Sequence, residues 1–423
     1  MSGESSVFPA WTRWVPRLAC LMAGLAFTIH AYLWVPRLTY GFAMYYTYAR
    51  LALEGDSLDR VYDDVYFNAK VHEFGFDLND EPNNAPTAAL AYLPVAWMQP
   101  VWARIVWSLV SISALVYALK ILFEISGIRP AGNTGLWLLT LMLVWKPSYD
   151  NVAFGQVYFV LLLLFALAMR GFMRWHVAGT ALPLALTVLL KGYGGVPLIL
   201  MALRRRWKES FLVLSLILIV IIATLPLLGM HSWTAFVVNV LPSLGAMPSH
   251  GHVAYQTING LLRHLFTFDA HWLPHPAVVL PGAAVAIVSY AASIALILFV
   301  LMRSRLETPP ERLLSLSAAL AAGVVTAPLA EEYHFVLFIP LIFALAARFH
   351  EQGPSGLWKE SGSVVAAIAV LLLASPLSYK ALQYSTFPLV LLAYPKLYAG
   401  LAILWYARAV MGRRESDRHG ASL

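Results

Sequence analysis

Apolar runs of roughly 15 to 25 residues recur from Leu18 to Val410, each long enough to cross, or nearly cross, a hydrocarbon core of about 30 Å. Lipid offers no partner to a backbone N–H or C=O, so such runs must close their hydrogen bonds internally, as helices. Leu, Ala, Val and Ile fill them without the two-residue alternation of an outer-membrane barrel. With 60% of residues hydrophobic and 12% charged, about half the charged share of an ordinary soluble domain, the chain cannot be a soluble enzyme. Cys20, the single cysteine, lies in the first run; it excludes an intrachain disulfide and reads as a small hydrophobe. The net charge of +7 does not point to nucleic acid, because the basic residues stand in short clusters beside apolar runs, where they report topology.

Those clusters set the parity of the crossings. Arg13 and Arg17 precede Leu18 to Val35 and predict a retained first span with a cytoplasmic N-terminus. Residues 39–86 follow as a large, acidic first extracytoplasmic loop, and the run Thr87 to Met98, short for a span, reads as a re-entrant or surface helix. Val177 to Leu190 and Val196 to Leu203 read as a helical pair broken at Lys191-Gly192-Tyr193-Gly194-Gly195. The pair ends at Arg204, Arg205, Arg206, Trp207 and Lys208, the strongest cytoplasmic marker. Residues 230–275 form the second extracytoplasmic loop. The expectation is an all-α, polytopic bundle of about twelve spans. Residues 1–410 make one integral membrane domain, residues 411–423 a disordered cytoplasmic tail, and both termini lie in the cytoplasm.

Under that topology the unusual polar groups gather outside, and charges at a membrane edge are costly enough to be suspected of function. Tyr45, Tyr46, Arg50 and Leu51 stand at helical spacing and predict an amphipathic helix along the membrane surface, with the first three as substrate contacts. Asp56, Asp59, Asp63 and Asp64 follow. A carboxylate there, Asp63, Asp56 or Asp64, can take the proton of a sugar hydroxyl that attacks an anomeric carbon; the alternative is a solvated loop of turn and cap aspartates. Asn84, in Asn83-Asn84-Ala85-Pro86-Thr87, either donates to a ligand or belongs to helix-start chemistry. Lys146 and Gln156 flank external helix ends, Lys146 as phosphate ligand or interfacial anchor and Gln156 as substrate contact.

Lys191 is the stronger phosphate candidate, because it sits at a helix break between residues that allow close backbone approach, although snorkelling explains it too. Glu331, Glu332 and His334 form a charged knot between two apolar runs, suited to orienting a phosphate or an acceptor, or simply hydrogen-bonded. The six histidines of the second loop match no ligand spacing, so no metal is expected. No Walker loop, nucleophile elbow or dinucleotide fingerprint appears, and no cofactor is expected.

Taken in order, Gly41-Phe42-x-x-Tyr45-Tyr46-x-x-Ala49-Arg50, Gly55, Tyr62-Asp63, Asn84-x-Pro86-Thr87, Gly155-Gln156-Val157, Lys191 and Arg205-Arg206-Trp207 resemble glycosyltransferase family 87, from about Thr39 to Arg348. That family comprises polyprenol-phosphate-mannose-dependent alpha-mannosyltransferase-like membrane proteins. The resemblance implies a GT-C-type helical bundle with an extracytoplasmic site, a polyprenyl-phosphate sugar donor, and a glycan or glycolipid acceptor. It also implies an aspartate directly before Phe-x-x-Tyr-Tyr as base. Gly41 stands in that place, so a nearby carboxylate such as Asp63 or Asp56 has taken the role, or the chemistry is altered, or the chain is inactive.

The expected function is therefore transfer of a mannose-like hexose at the outer face of the cell (inner or plasma) membrane, with the lipid bilayer and the two substrates as partners and no nucleic acid. The alternative is a transporter or flippase for a lipid-linked or small solute. It would need a charge-lined path between the two faces, whereas the cytoplasmic half of the spans is almost uncharged.

Overall fold

A computed structural model describes residues 11–55, 58–352 and 362–420. Among these residues the regular structure is helical, apart from one isolated bridge between Asp269 and Leu273. Five helices are long and apolar enough to cross a membrane: Trp14–Trp34, Pro100–Ser126, Trp207–Leu228, Gly282–Leu301 and Glu332–His350. A sixth crossing is reached if Lys146–Phe154 and Tyr158–Met173, bent by 120° at their junction, count as one. The dozen spans read from the sequence are not matched by helices of that length. The apolar runs that fall short, Asn133–Leu143, Val177–Lys191 and Ser363–Ala374, are helices of 10 to 17 residues. The break after Lys191 has a physical cause: Gly192 adopts φ +73°, a left-handed cap that ends the helix before full length.

The bundle sorts its helices by what they face. Trp207–Leu228 turns Phe211, Leu214, Leu218, Ile219 and Ile222 outward, a surface that only lipid suits. The Glu332–His350 helix is buried through Phe335, Phe338, Leu341 and Phe343 and forms the centre. The final helix runs Pro395–Gly420.

The helix Phe42–Glu54 corrects another expectation. It has no solvent- or lipid-facing half over its first two turns, for every residue from Phe42 to Ala49 is buried. Its tyrosines point in different directions around the axis and each finds an aromatic partner. Tyr45 stacks on Tyr92 at 4.6 Å, Tyr46 lies 5.6 Å from Phe76, and Tyr48 meets Tyr62 edge-on at 6.1 Å. Polar tips that looked amphipathic in sequence are thus spent inside the protein, with the Tyr46 hydroxyl donating to the Met98 carbonyl at 2.6 Å.

The bend between Lys146–Phe154 and Tyr158–Met173 is locked from the neighbouring helix. Gly155 takes φ +59°, and its carbonyl accepts from the Tyr92 hydroxyl at 2.8 Å and the Trp107 indole at 2.9 Å. The buried Arg104 guanidinium donates to the carbonyls of Val152 at 2.6 Å and Ala153 at 3.0 Å. A Cβ on Gly155 would come within 2.4 Å of that guanidinium, so only glycine fits. The adjacent Gln156 is thereby aimed at the site.

Candidate active site

A cavity of about 980 Å³ opens where the first loop, the break after Lys191, the second loop and the segment 326–334 meet. Its lining is divided by chain segment. Residues 68–84 contribute Asn68, Asn79, Asp80, Glu81, Asn83 and Asn84, whereas Val188, Leu189, Val196, Leu241, Leu244 and Leu329 are apolar. A site with such walls suits an amphiphile, holding a polar head and an apolar tail at once.

Lys191 ends the helix Val177–Lys191, where a cation is favoured by the helix dipole. Its Nζ donates to Asn84 Oδ1 at 2.6 Å and lies over the rings of Tyr45 and Tyr158, at 5.2 and 5.7 Å from their centroids. Among the described residues no carboxylate lies within ion-pairing distance of it. One of three ammonium donors is used, and the remaining two are available to an anion. Thr87 donates to the Leu189 carbonyl at 2.6 Å, tying the Asn84-x-Pro86-Thr87 stretch to the same helix end.

His334 faces the cavity from the start of the central helix. Its Nδ1 accepts from the Glu331 backbone N–H at 3.0 Å. The Glu331 carbonyl stands 3.1 Å from the same nitrogen, so the Glu331 backbone brackets Nδ1 with both a donor and an acceptor. Glu331 closes the reciprocal cap: its side chain accepts from the His334 backbone N–H and, through Oε1, from the Tyr333 hydroxyl at 2.7 Å. Burial raises the Glu331 carboxyl above the usual range.

Asp80 is a cavity carboxylate that sequence reasoning did not single out. Its Oδ2 accepts from the backbone N–H of Gly41 and from that of Met44 at 3.1 Å, and its Oδ1 accepts from Glu81 N–H at 3.0 Å. The carboxylate is reached from the cavity yet lies deep enough that burial pushes its pKa up to about 6, against the opposing effect of those three N–H groups. The signal was its place just before Asn83-Asn84-Ala85-Pro86-Thr87, in a loop where acidic residues looked interchangeable. Position 41 disfavours a side chain: Gly41 has φ +83°, and a Cβ there would lie 2.2 Å from Gln156 Nε2, which would have to move.

The structure brings together Lys191, Asn84, Gln156, Glu331 and His334 around this cavity. Tyr45 stands behind Lys191, its hydroxyl buried with no hydrogen-bond partner among the described residues. Other expected site residues lie elsewhere. Asp63 caps the helix Asp64–Glu73, accepting from Val65 and Tyr66 N–H at 3.1 Å, and pairs with Arg60 at 3.0 Å. The Tyr66 N–H and then Arg60 hold its carboxyl below the usual range, the wrong direction for a base. Asp64 is exposed on the first turn of the same helix, off the cavity, and Asp56 lies outside the described residues.

Tyr46 and Arg50 brace the loop, Arg50 by an ion pair with Glu54 and a 3.0 Å hydrogen bond to the Ala96 carbonyl. Lys146 pairs with Asp150 and stands 3.8 Å from Glu332, so its ammonium is engaged away from the cavity. Glu332 points into that same cluster, where Lys396 pairs with it at 3.1 Å. The second loop adds His250 and His252 to the lining, and burial pushes the His250 imidazole down to about 4, so it is neutral near pH 7.

Comparison with protein families matches residues 84–331 to the sequence model of glycosyltransferase family 87. Comparison with curated proteins and with solved structures gives no match.

Proposed function

The chain belongs to glycosyltransferase family 87, and from that premise we propose that it transfers a mannose-like hexose from a polyprenyl-phosphate donor to a glycan or glycolipid acceptor at the extracytoplasmic face of the cell membrane. The observation that carries this reading is the divided cavity with Lys191 at its inner edge: apolar walls for a polyprenyl tail, a cation for its phosphate, and an amide-rich wall for sugar hydroxyls.

The chemistry follows from the partners. The acceptor oxygen attacks the anomeric carbon, the bond from that carbon to the phosphate oxygen breaks, and the polyprenyl phosphate leaves with added negative charge. Lys191 and the His334 imidazole stabilise that charge as it develops, which is where such donors contribute most. A phosphate leaves readily without a proton, so no general acid is needed. A carboxylate must accept the acceptor proton.

The side of the membrane is read from the other end of the helix Val177–Lys191. Its 15 residues span about 22 Å. At the far end Arg206 and Arg312 stack on Trp175 at 4.3 and 3.7 Å, and Arg170 and Arg174 pair with Glu124. A cluster of arginines is the usual mark of a cytoplasmic side, which supports a cavity on the outer side. A flippase would need a polar path between these ends. In this helix only Thr180 and Thr187 are polar between them, and both are buried and bonded to backbone carbonyls of their own turn.

The test is transfer by membranes containing the protein, supplied with polyprenyl-phosphate mannose or with a nucleotide sugar. Transfer from the lipid donor, retained when lipid-donor synthesis from nucleotide sugar is blocked, is expected. Transfer that requires the nucleotide sugar itself would refute the donor assignment.

A further inference from the structure

Three carboxylates line the cavity: Glu81, which is exposed, and Asp80 and Glu331, to which the surroundings give different work. Glu331 is committed to the His334 cap and to the Tyr333 hydroxyl, so its place fixes the imidazole. Asp80 is held by three backbone N–H groups, two from the start of the helix Phe42–Glu54 and one from Glu81. A carboxylate has about four lone-pair positions. Three are occupied, which fixes the group in one orientation and leaves one on Oδ1 to accept a proton.

We propose that Asp80 is the general base of the transfer, supplying from a separate turn the carboxylate that position 41 disfavours. The assignment rests on the glycosyl-transfer reading above. As the acceptor oxygen bonds to the anomeric carbon, its proton passes to Oδ1 of Asp80, the bond from that carbon to phosphate breaks, and the polyprenyl phosphate departs. The carboxylic acid then releases its proton to water. The same N–H groups that fix Asp80 tie it to Gly41 and Met44, so the base moves with the helix whose Tyr45 underlies Lys191.

The charge environment suits that task. Asp80 and Glu331 both act on Lys191, and Glu331 acts on Asp80 as a like charge across the site. Tyr40, Tyr45 and Tyr255 also feel it, and stay protonated because desolvation and the nearby carboxylates raise their hydroxyls above the usual range. Burial with Glu331 nearby brings the carboxyl up to about 6, close to working pH, where a base combines a sufficient ionised fraction with real basicity.

The experiment compares wild type and Asp80→Asn in purified membranes supplied with radiolabelled polyprenyl-phosphate mannose, with rates measured from pH 5 to 8. Asparagine keeps an oxygen that accepts from Gly41 and Met44 N–H, so a cap survives while the base is lost. The expected result is a fall in turnover of roughly 10²- to 10⁴-fold, with donor binding kept within threefold. The wild-type rate should decline below about pH 6, and the residual rate of the variant should lack that decline. If Asp80→Asn turns over within threefold of wild type, or keeps the wild-type acid limb, the assignment is wrong.

Should the variant not fold, the wild-type profile still decides: a rate flat from pH 5 to 8 rejects Asp80. Wild-type membranes that transfer nothing from the lipid donor would instead refute the glycosyl-transfer reading, and the Asp80 role with it.

Discussion

Glu331 and Glu332 are neighbours in sequence and belong to two different electrostatic regions. Glu332 lies in a buried cluster where charges answer one another: Lys396 at 3.1 Å, Lys146 at 3.8 Å, Asp150 on Lys146, and the Tyr379 hydroxyl donating at 3.4 Å. Lys396 also donates to the carbonyls of Leu372 and Leu373 at 3.0 and 2.9 Å. The cavity region carries the same residue types in the opposite condition. Lys191 leans on the neutral Asn84 and two tyrosine rings, and Asp80 on backbone N–H groups. Burying a charge is expensive unless it is paired. A fold that pairs one set fully and leaves the other to neutral partners is spending stability in the cavity, and an anionic ligand is what would complete Lys191.

Lysine substitutions should separate the two regions by readout. Lys191→Met is expected to lower turnover by roughly 10²- to 10³-fold, the scale of removing one donor to a developing oxyanion, with the heat stability of the detergent-solubilised protein preserved or improved. Lys396→Met should do the reverse. Leaving Glu332 buried with one partner fewer costs about 3–5 kcal/mol, read as a lower midpoint in thermal unfolding, while turnover per folded molecule stays near wild type. Equal behaviour of the two variants in both assays would erase the distinction between the regions. His334→Ala comes next. Losing one hydrogen bond to a charged group costs about 1.5–3 kcal/mol, roughly 10- to 100-fold in transfer rate, and a rate unchanged within twofold would remove His334 from the phosphate site.

The helical, membrane-embedded architecture was legible because apolar run length and charge clusters are local signals, and the break at Lys191 showed in its glycines. That Lys191, Asn84, Gln156, Glu331 and His334 line one cavity could be anticipated for a similar reason: each sits near the end of an apolar run, where a polar residue is conspicuous. Asp80 was not, because nothing local distinguishes it from Asp56, Asp59 or Asp63 in the same loop. Its selection is tertiary, made by the N–H groups of Gly41 and Met44, 39 and 36 residues away. Lys146 and Glu332 misled in the opposite way. Each was conspicuous, and each is the other's neighbour in a cluster off the cavity that also draws in Lys396, 64 residues beyond Glu332.

The smallest effect is expected at Asp63, and it sharpens the comparison between acidic groups of one loop. Asp63 and Asp80 both accept backbone N–H bonds at a helix start, yet Asp63 does so at the surface beside Arg60 and Asp80 inside the cavity. Hydrogen bonds and a cation lower the Asp63 carboxyl, whereas burial raises that of Asp80. A lowered carboxyl is fully ionised at working pH and too weak a base to help a sugar hydroxyl. Asp63→Asn, which keeps an oxygen for the cap, should therefore transfer hexose at the wild-type rate within twofold, with the acid limb in place. A hundredfold loss at Asp63 with an intact fold would return the base to the surface of the loop, and would show that reaching the acceptor from bulk water matters more than the enclosure that sets Asp80 apart.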